Sequence, residues 1–226
     1  MLNYKRIPYK TVWVSFPDIE PTLVKLGYAP TATKLNDLSK PPYTLPAIVD
    51  ASSTPPVVIA DSLAIAEYLD EKYPDRPVLP KPGKALQYVF EQWFVSLRSA
   101  ELSQIMLPAI ATILDDRGKV YYQETREKRL GKKLEELSPK GEARDGHWKV
   151  VQSAFGRIAA VIEQNGPGVD YIAGGSEPTR ADFIYISLLI CIRAMMPDEW
   201  ENRVKHWNGG RWEKMLKMTE EWQTVN

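Results

Sequence analysis

Between Ser62 and Pro74 the chain reads SLAIAEYLDEKYP, with apolar residues at Leu63, Ala66, Leu69 and Tyr73. Steps of three and four place them on one stripe of a helix, and Pro74 marks its end. Just upstream, PAIVD and PVVIA are short apolar runs separated by ASSTP. Such runs around turn-forming residues predict a β-hairpin. Nearer the N-terminus YKTVWVS alternates and is rich in strand formers, predicting a strand over Lys10–Val14. PDIEPTLVKLG predicts a short helix or turn stopping at Gly27, and YAPTATKLNDLSKPPY a polar, proline-marked loop.

YPDRPVLPKPGK then breaks the pattern with four prolines and a glycine, the composition of a semi-rigid linker. Everything after it has helical spacing. ALQYVFEQWFVSLRSAELSQIMLPAIATILDD is long enough for one helix kinked at Pro108. YYQETREKRLGKKLEEL predicts a charged helix with a solvated face, its basic run followed at once by acids. HWKVVQSAFGRIAAVIEQNG is amphipathic and stops at Gly166, and GGRWEKMLKMTEEWQ closes the chain. PTRADFIYISLLICIRAMM is apolar nearly all round, which predicts the buried centre of a helical bundle. The chain thus divides into an α/β unit over 1–75, a linker over 76–84 and an all-helical unit over 85–226.

Composition narrows the function. The 226 residues suffice for two small cores. Lys plus Arg and Asp plus Glu are 29 each, so overall charge gives no case for nucleic acid or an anionic membrane. One cysteine rules out an internal disulfide framework and a CxxC pair, and two histidines are too few for a His-rich metal site. The longest apolar run, Phe183 to Ile192, falls far short of the ~20 residues of a spanning helix. The N-terminus shows no secretory apolar segment. A cytoplasmic location is the expectation.

Three motifs can carry chemistry or capping. Pro46 lies at the first residue of a predicted strand, where its missing N–H is tolerated. Asp61-Ser62 falls where a strand ends and a helix begins. Either residue can be a plain N-cap, or the unpaired N–H groups there can hold an anion. Thr179 and Asp182 in TRADF have the spacing of a capping box, with Pro178 opposite Phe183, a structural role. Cys191, among Leu189, Ile190 and Ile192, is expected to be a buried, inert thiol. His147 is expected at a helix start on the surface and His206 near a loop; no Ser-His-Asp spacing suggests a triad.

A small α/β unit, a proline-rich linker and a helical unit with one central helix resemble the cytosolic glutathione transferases. TLPAIVD resembles that family's cis-proline strand, IADSLAIAEYLDEKYPD its glutathione-carboxylate turn and following helix, and TRADF the capping box of its buried helix. NYKRIPYKTVWVSFPDIEP and ETREKRLGKKLEEL are similar to the fungal class called FuA, related to bacterial etherases. The resemblance implies a thioredoxin-like, glutathione-binding N-terminal domain and an all-α C-terminal bundle. It implies a cis Leu45-Pro46 bond that turns the backbone of Leu45 toward glutathione, a short form of strand addition. It gives Ser62 the γ-glutamyl carboxylate and Asp61 the ammonium. Trp93, Phe94, Leu97, Ile105 and Met106 would line the cleft for a hydrophobic or aromatic electrophile.

The implied function is conjugation of glutathione to such electrophiles, or their cleavage with it. The alternative is a non-catalytic glutathione-binding or interaction module on the same fold. Glutathione is the implied co-substrate, with no metal; the implied partners are a small hydrophobic molecule and, for assembly, a homodimer. In the family's pattern a first strand and helix precede Tyr9, and Met1–Tyr4 resembles the last turn of that helix. The resemblance therefore implies that the catalytic Ser, Tyr or Cys lies outside this chain, and the catalytic residue is unknown. It also implies that Lys10–Val14, whose neighbour would be that first strand, is left unpaired or shifts beside the hairpin.

Overall fold

A computed structural model describes residues 1–30, 42–80, 83–97 and 100–225. Most of the proline-marked loop after Gly27, and residues 81 and 82 of the linker, lie outside the described residues. The N-terminal part holds a one-turn helix α1 (Leu2–Lys5), a 3-10 turn (Phe16–Asp18) running into α2 (Ile19–Lys25), strands β1 (Ala47–Asp50) and β2 (Val57–Ala60), and α3 (Ser62–Lys72). The helical part comprises α4 (Lys84–Leu97), α5 (Ala100–Thr112), α6 (Asp116–Leu130), α7 (Glu142–Glu163), α8 (Arg180–Met195), α9 (Pro197–Asn202) and α10 (Arg211–Met218).

The hairpin forms as its pattern predicts. β1 and β2 pair antiparallel with Ala47 opposite Ala60 and Asp50 opposite Val57. The cross-strand register is fixed by apolar pairs, Ile48 with Ile59 and Val49 with Val58. Lys10–Val14 is not a strand, which corrects the reading from alternation and agrees with the expectation that this segment is left unpaired. Among the described residues the sheet has two strands only, and no N–H of this segment has a backbone partner. Val12 and Trp13 stand 73% and 83% exposed. Alternation supplies a preference for extended backbone, but a strand exists only where a neighbour accepts its hydrogen bonds.

Three helical expectations are refined by the structure. The charged helix runs from Asp116 and stops at Leu130, because Gly131 takes the left-handed conformation (φ 65°) that closes the helix. Asp115 caps its start, its carboxylate accepting from the N–H of Gly118 at 2.9 Å. The amphipathic helix begins at Glu142, so His147 lies inside it, its Nδ1 3.1 Å from Ser138 Oγ. The long predicted helix is described as α4 and α5 on either side of residues 98 and 99, with Pro108 inside α5.

The main core lies in the helical part, where Phe155, Tyr185 and Trp212 meet edge to face with centroids 5.0–5.6 Å apart. Edge-to-face packing satisfies the ring quadrupoles and holds these side chains in one arrangement. α8 runs through this core as predicted, with Tyr185, Ile186, Leu189 and Ile192 buried. One strip of it, including Ser187 and Cys191, reaches solvent. This corrects the expectation of a buried cysteine, although neighbouring packing still pushes the Cys191 thiol up.

A second cluster joins the two parts, with Tyr4, Ala66, Val78 and Leu79 buried against Phe183 and Trp222. The linker residues Arg76, Val78 and Leu79 are therefore tied into the structure. Asp70 is its anchor, accepting from the N–H groups of Val78 and Leu79 and from Lys5 Nζ at 2.8 Å. The Lys5 side chain is wholly buried, and its ammonium also donates to the carbonyls of Asp75 and Arg76. A buried ammonium is tolerated only with such a full set of acceptors.

Candidate functional site

The two motifs singled out in the N-terminal part meet. Leu45-Pro46 is a cis peptide. The carbonyl of Pro46 accepts from the N–H of Asp61 at 3.4 Å, extending the β1–β2 pairing by one step and setting the end of β1 beside the start of α3. Leu45 is 42% exposed. Among the described residues neither its N–H nor its C=O has a hydrogen-bond partner. A backbone with both groups free can pair with an extended peptide.

Asp61 is the N-cap of α3. Its Oδ1 accepts from the N–H groups of Leu63 (3.0 Å) and Ala64 (3.2 Å), and its own C=O accepts from Ile65. Its backbone sits at φ 96° and ψ 126°, outside the regions an L-residue ordinarily occupies. Such a conformation costs of order 1–3 kcal/mol and is held only when its surroundings impose it. Here the Pro46 bond on one side and the cap on the other do so. The cap uses two of the first-turn donors and leaves the N–H of Ser62 without a partner among the described residues.

Ser62 is half-buried, and its Oγ accepts from Arg180 Nη2 at 3.2 Å. Arg180 is 2% exposed and pairs with Glu91 of α4 through Nη1 (2.7 Å) and Nη2 (2.9 Å). Arg180 follows Thr179, so the capping box beneath α8 places it. Asp182, 0% exposed, accepts from the Thr179 N–H (2.8 Å), the Thr179 hydroxyl (2.9 Å) and the Ile172 N–H (2.6 Å). Burial pushes the Asp182 carboxyl up, and these hydrogen bonds pull it down. On the other side, Gln87 Oε1 accepts from the N–H of Ala181, and the Val78 carbonyl from the N–H of Arg180. The arrangement offers an anion two donors from one residue, the N–H and O–H of Ser62, at the positive end of a helix and with a guanidinium behind.

The five residues expected along an apolar cleft do not share one environment. Phe94, Leu97 and Ile105 are buried in the main core, where Phe94 and Leu97 help to line a gap of about 10 Å³. That is no more than the space of one water. Trp93 and Met106 are partly exposed at the margin of the same core. Arg180 and Glu91 were not singled out from sequence. The signal available was a basic residue directly after a helix N-cap that leads into an apolar helix, a place where burial demands a partner.

Two hydroxyl groups elsewhere already have partners, and the single thiol is held up by its surroundings. Tyr4 donates to Glu177 at 3.0 Å, and its hydroxyl is pushed up to about 12, chiefly by burial and then by Glu177. Ser15 donates to Asp115 at 3.1 Å. Cys191 lies on α8 with its thiol held up. Among the described residues no group of three His, Cys, Asp or Glu could hold a metal ion, and no helix is long and apolar enough to cross a membrane.

Residues 1–72 match the glutathione S-transferase N-terminal domain and residues 85–222 the glutathione S-transferase C-terminal domain. The chain is 35% identical over 221 residues to the glutathione S-transferase-like protein ustS of Aspergillus flavus, covering 92% of this chain and 76% of that protein. It is similar to a glutathione S-transferase of Ceriporiopsis subvermispora crystallised in complex with glutathione, at 35% identity and a TM-score of 0.90, covering 100% of this chain and 88% of the other. The glutathione transferase GSTFuA3 of Phanerochaete chrysosporium is similar at 34% identity and a TM-score of 0.84, with coverage of 100% and 88%. With a thioredoxin-like domain ahead of a helical one and both halves matched, the chain belongs to the glutathione S-transferase family.

Proposed function

We propose that this chain binds glutathione across Leu45, Pro46, Asp61 and Ser62. The free backbone groups of Leu45 pair with the cysteinyl backbone of the tripeptide, and the N–H and O–H of Ser62 hold its γ-glutamyl carboxylate. Asp61, besides capping α3, supplies negative charge for the ammonium. The observation that carries the reading is the juxtaposition of an unpartnered Leu45 backbone with an α3 first turn whose free donor is Ser62. Solved relatives in complex with glutathione support it.

The function is conjugation of glutathione to hydrophobic or aromatic electrophiles, or cleavage with it, in the manner of detoxifying cytoplasmic enzymes. Trp93 and Met106 at the core margin are the wall such a substrate meets. Phe94, Leu97 and Ile105 support that wall from behind. Residues 1–75 form the glutathione-binding domain, 76–84 the linker and 85–226 the helical domain, and the working assembly is a homodimer. The second reading, glutathione binding without turnover, is favoured by the hydrogen bonds that occupy Tyr4 and Ser15 and by the raised Cys191 thiol.

Calorimetric titration with glutathione tests the site. Saturable binding is expected, and Ser62→Ala should weaken it by about 0.5–1.5 kcal/mol, the net worth of one hydrogen bond. Affinity unchanged by Ser62→Ala would remove that hydroxyl from the site. An ultraviolet thiolate band on adding glutathione, with turnover of a model electrophile, separates the two functions. The second reading expects no band and turnover lower by a factor of about 10²–10³, the usual cost of losing one oxyanion-type donor.

A further inference from the structure

TRADF needs only Thr179 and Asp182 to close its box, yet the residue between them that enters α8 first is a fully buried arginine. Burying a guanidinium is costly unless it is paired. The fork of two bonds to Glu91 Oε1 and Oε2 meets that need within the helical domain. The third bond, to Ser62 Oγ, crosses into the first turn of α3. We infer that Arg180 is a positioning residue for the carboxylate-binding serine, with Glu91 setting how much of its positive charge the ligand feels. The inference rests on the glutathione reading of the site.

A serine oxygen has two acceptor positions and one proton to give. When Arg180 donates to Ser62 Oγ, the hydroxyl is held as an acceptor on that side, and its own proton is left to donate elsewhere. Among the described residues no acceptor takes that proton. Asp61 meanwhile occupies the N–H groups of Leu63 and Ala64, and its carbonyl that of Ile65. Anion binding by the α3 terminus is thereby concentrated on one residue, and that residue's hydroxyl is oriented from the other domain. The charge behind it is incomplete, because Glu91 takes both terminal nitrogens of the guanidinium. Weakening that pair strengthens the field on a bound carboxylate, and removing the guanidinium abolishes it.

The test measures affinities of the full chain for glutathione and for γ-aminobutyryl-cysteinylglycine, which lacks only the γ-glutamyl α-carboxylate. Arg180→Gln should weaken glutathione about three- to tenfold and leave the analogue nearly unchanged, so that the preference for glutathione shrinks. Arg180→Lys should restore part of that preference. Glu91→Gln should tighten glutathione about two- to fivefold and widen the preference. A purely structural role would weaken both ligands together in Arg180→Gln and in Glu91→Gln, leaving the ratio where it was, and would overturn the inference. If Arg180→Gln loses its far-ultraviolet helix signal, Glu91→Gln and Arg180→Lys decide the question alone. Wild-type binding that Ser62→Ala lowers but the Arg180 and Glu91 variants leave untouched overturns this inference and spares the site. Absence of saturable glutathione binding by the wild type overturns both.

Discussion

Replacing Asp182 by alanine and by asparagine separates what the buried carboxylate does as an acceptor from what it costs as a charge. The side chain accepts three hydrogen bonds, two through Oδ2 from Thr179 and one through Oδ1 from Ile172. Alanine removes all three and leaves two backbone N–H groups in a site with no water access. At about 1–3 kcal/mol for each stranded donor, offset in part by relief of the buried charge, the expected loss is about 4 kcal/mol. Asparagine turned with its oxygen toward Thr179 keeps two bonds and sets its amide against the Ile172 N–H. Its expected loss is about 2 kcal/mol. Burial is the leading influence on this carboxyl and pushes it up, so loss of the charge itself is no penalty. Urea unfolding followed by tryptophan fluorescence is the assay, since Trp148, Trp207 and Trp212 lie in the adjoining core. In melting temperature the alanine variant should fall by roughly 8–16 °C and the asparagine variant by about half of that. An asparagine variant as damaged as alanine would show that the charge matters and the acceptor count does not. An alanine loss below about 1 kcal/mol would refute the reasoning altogether.

Two further outcomes follow from the same geometry. The Tyr4 hydroxyl is pushed from an unfolded value of 10.0 up to about 12. A raised folded value means its contribution is complete below pH 10 and is lost as pH climbs toward 12, by about 1–2 kcal/mol. Tyr4→Phe should flatten that part of the alkaline decline in urea midpoints, with Tyr122, Tyr171 and Tyr185 supplying the remainder; an unchanged slope would exclude Tyr4 as its source. In hydrogen exchange, Lys10–Val14 should exchange near the unprotected rate and Phe183–Ile192 only on global opening. Equal protection of the two segments would mean that Lys10–Val14 has partners in solution.

The elements with a strong local signature were legible in the sequence. The hairpin was, because apolar runs flank turn residues, and α3 and α8 were, because periodicity, cap and stop agree. Lys10–Val14 was misread as a strand because alternation reports only a residue's own preference, whereas a strand depends on a partner distant in the chain. The end of α6 turned on a single glycine, Gly131, inside a run whose charges looked uniformly helical. Of the site, Leu45, Pro46, Asp61 and Ser62 could be found because each sits at a junction between elements. Glu91 and Arg180 could not, since they are 89 residues apart and meet only when α4 and α8 pack. The cleft residues divided between core and margin for the same reason. A helix as apolar as α4 gives no sequence clue to which of its faces a neighbour covers.

Asp70 joins the linker to α1 and α3, while the Val78 carbonyl joins it to the first residue of α8. The two domains are thus fastened at the entry of the helix that delivers Arg180 to Ser62. That limits how freely the halves can be recombined. A chimera carrying this N-terminal domain on a foreign helical partner would keep the serine but lose the arginine that orients it and the register that Val78 imposes. Shuffling within the fold would then have to exchange α3, the linker and the start of α8 as one block, although they are far apart along the chain.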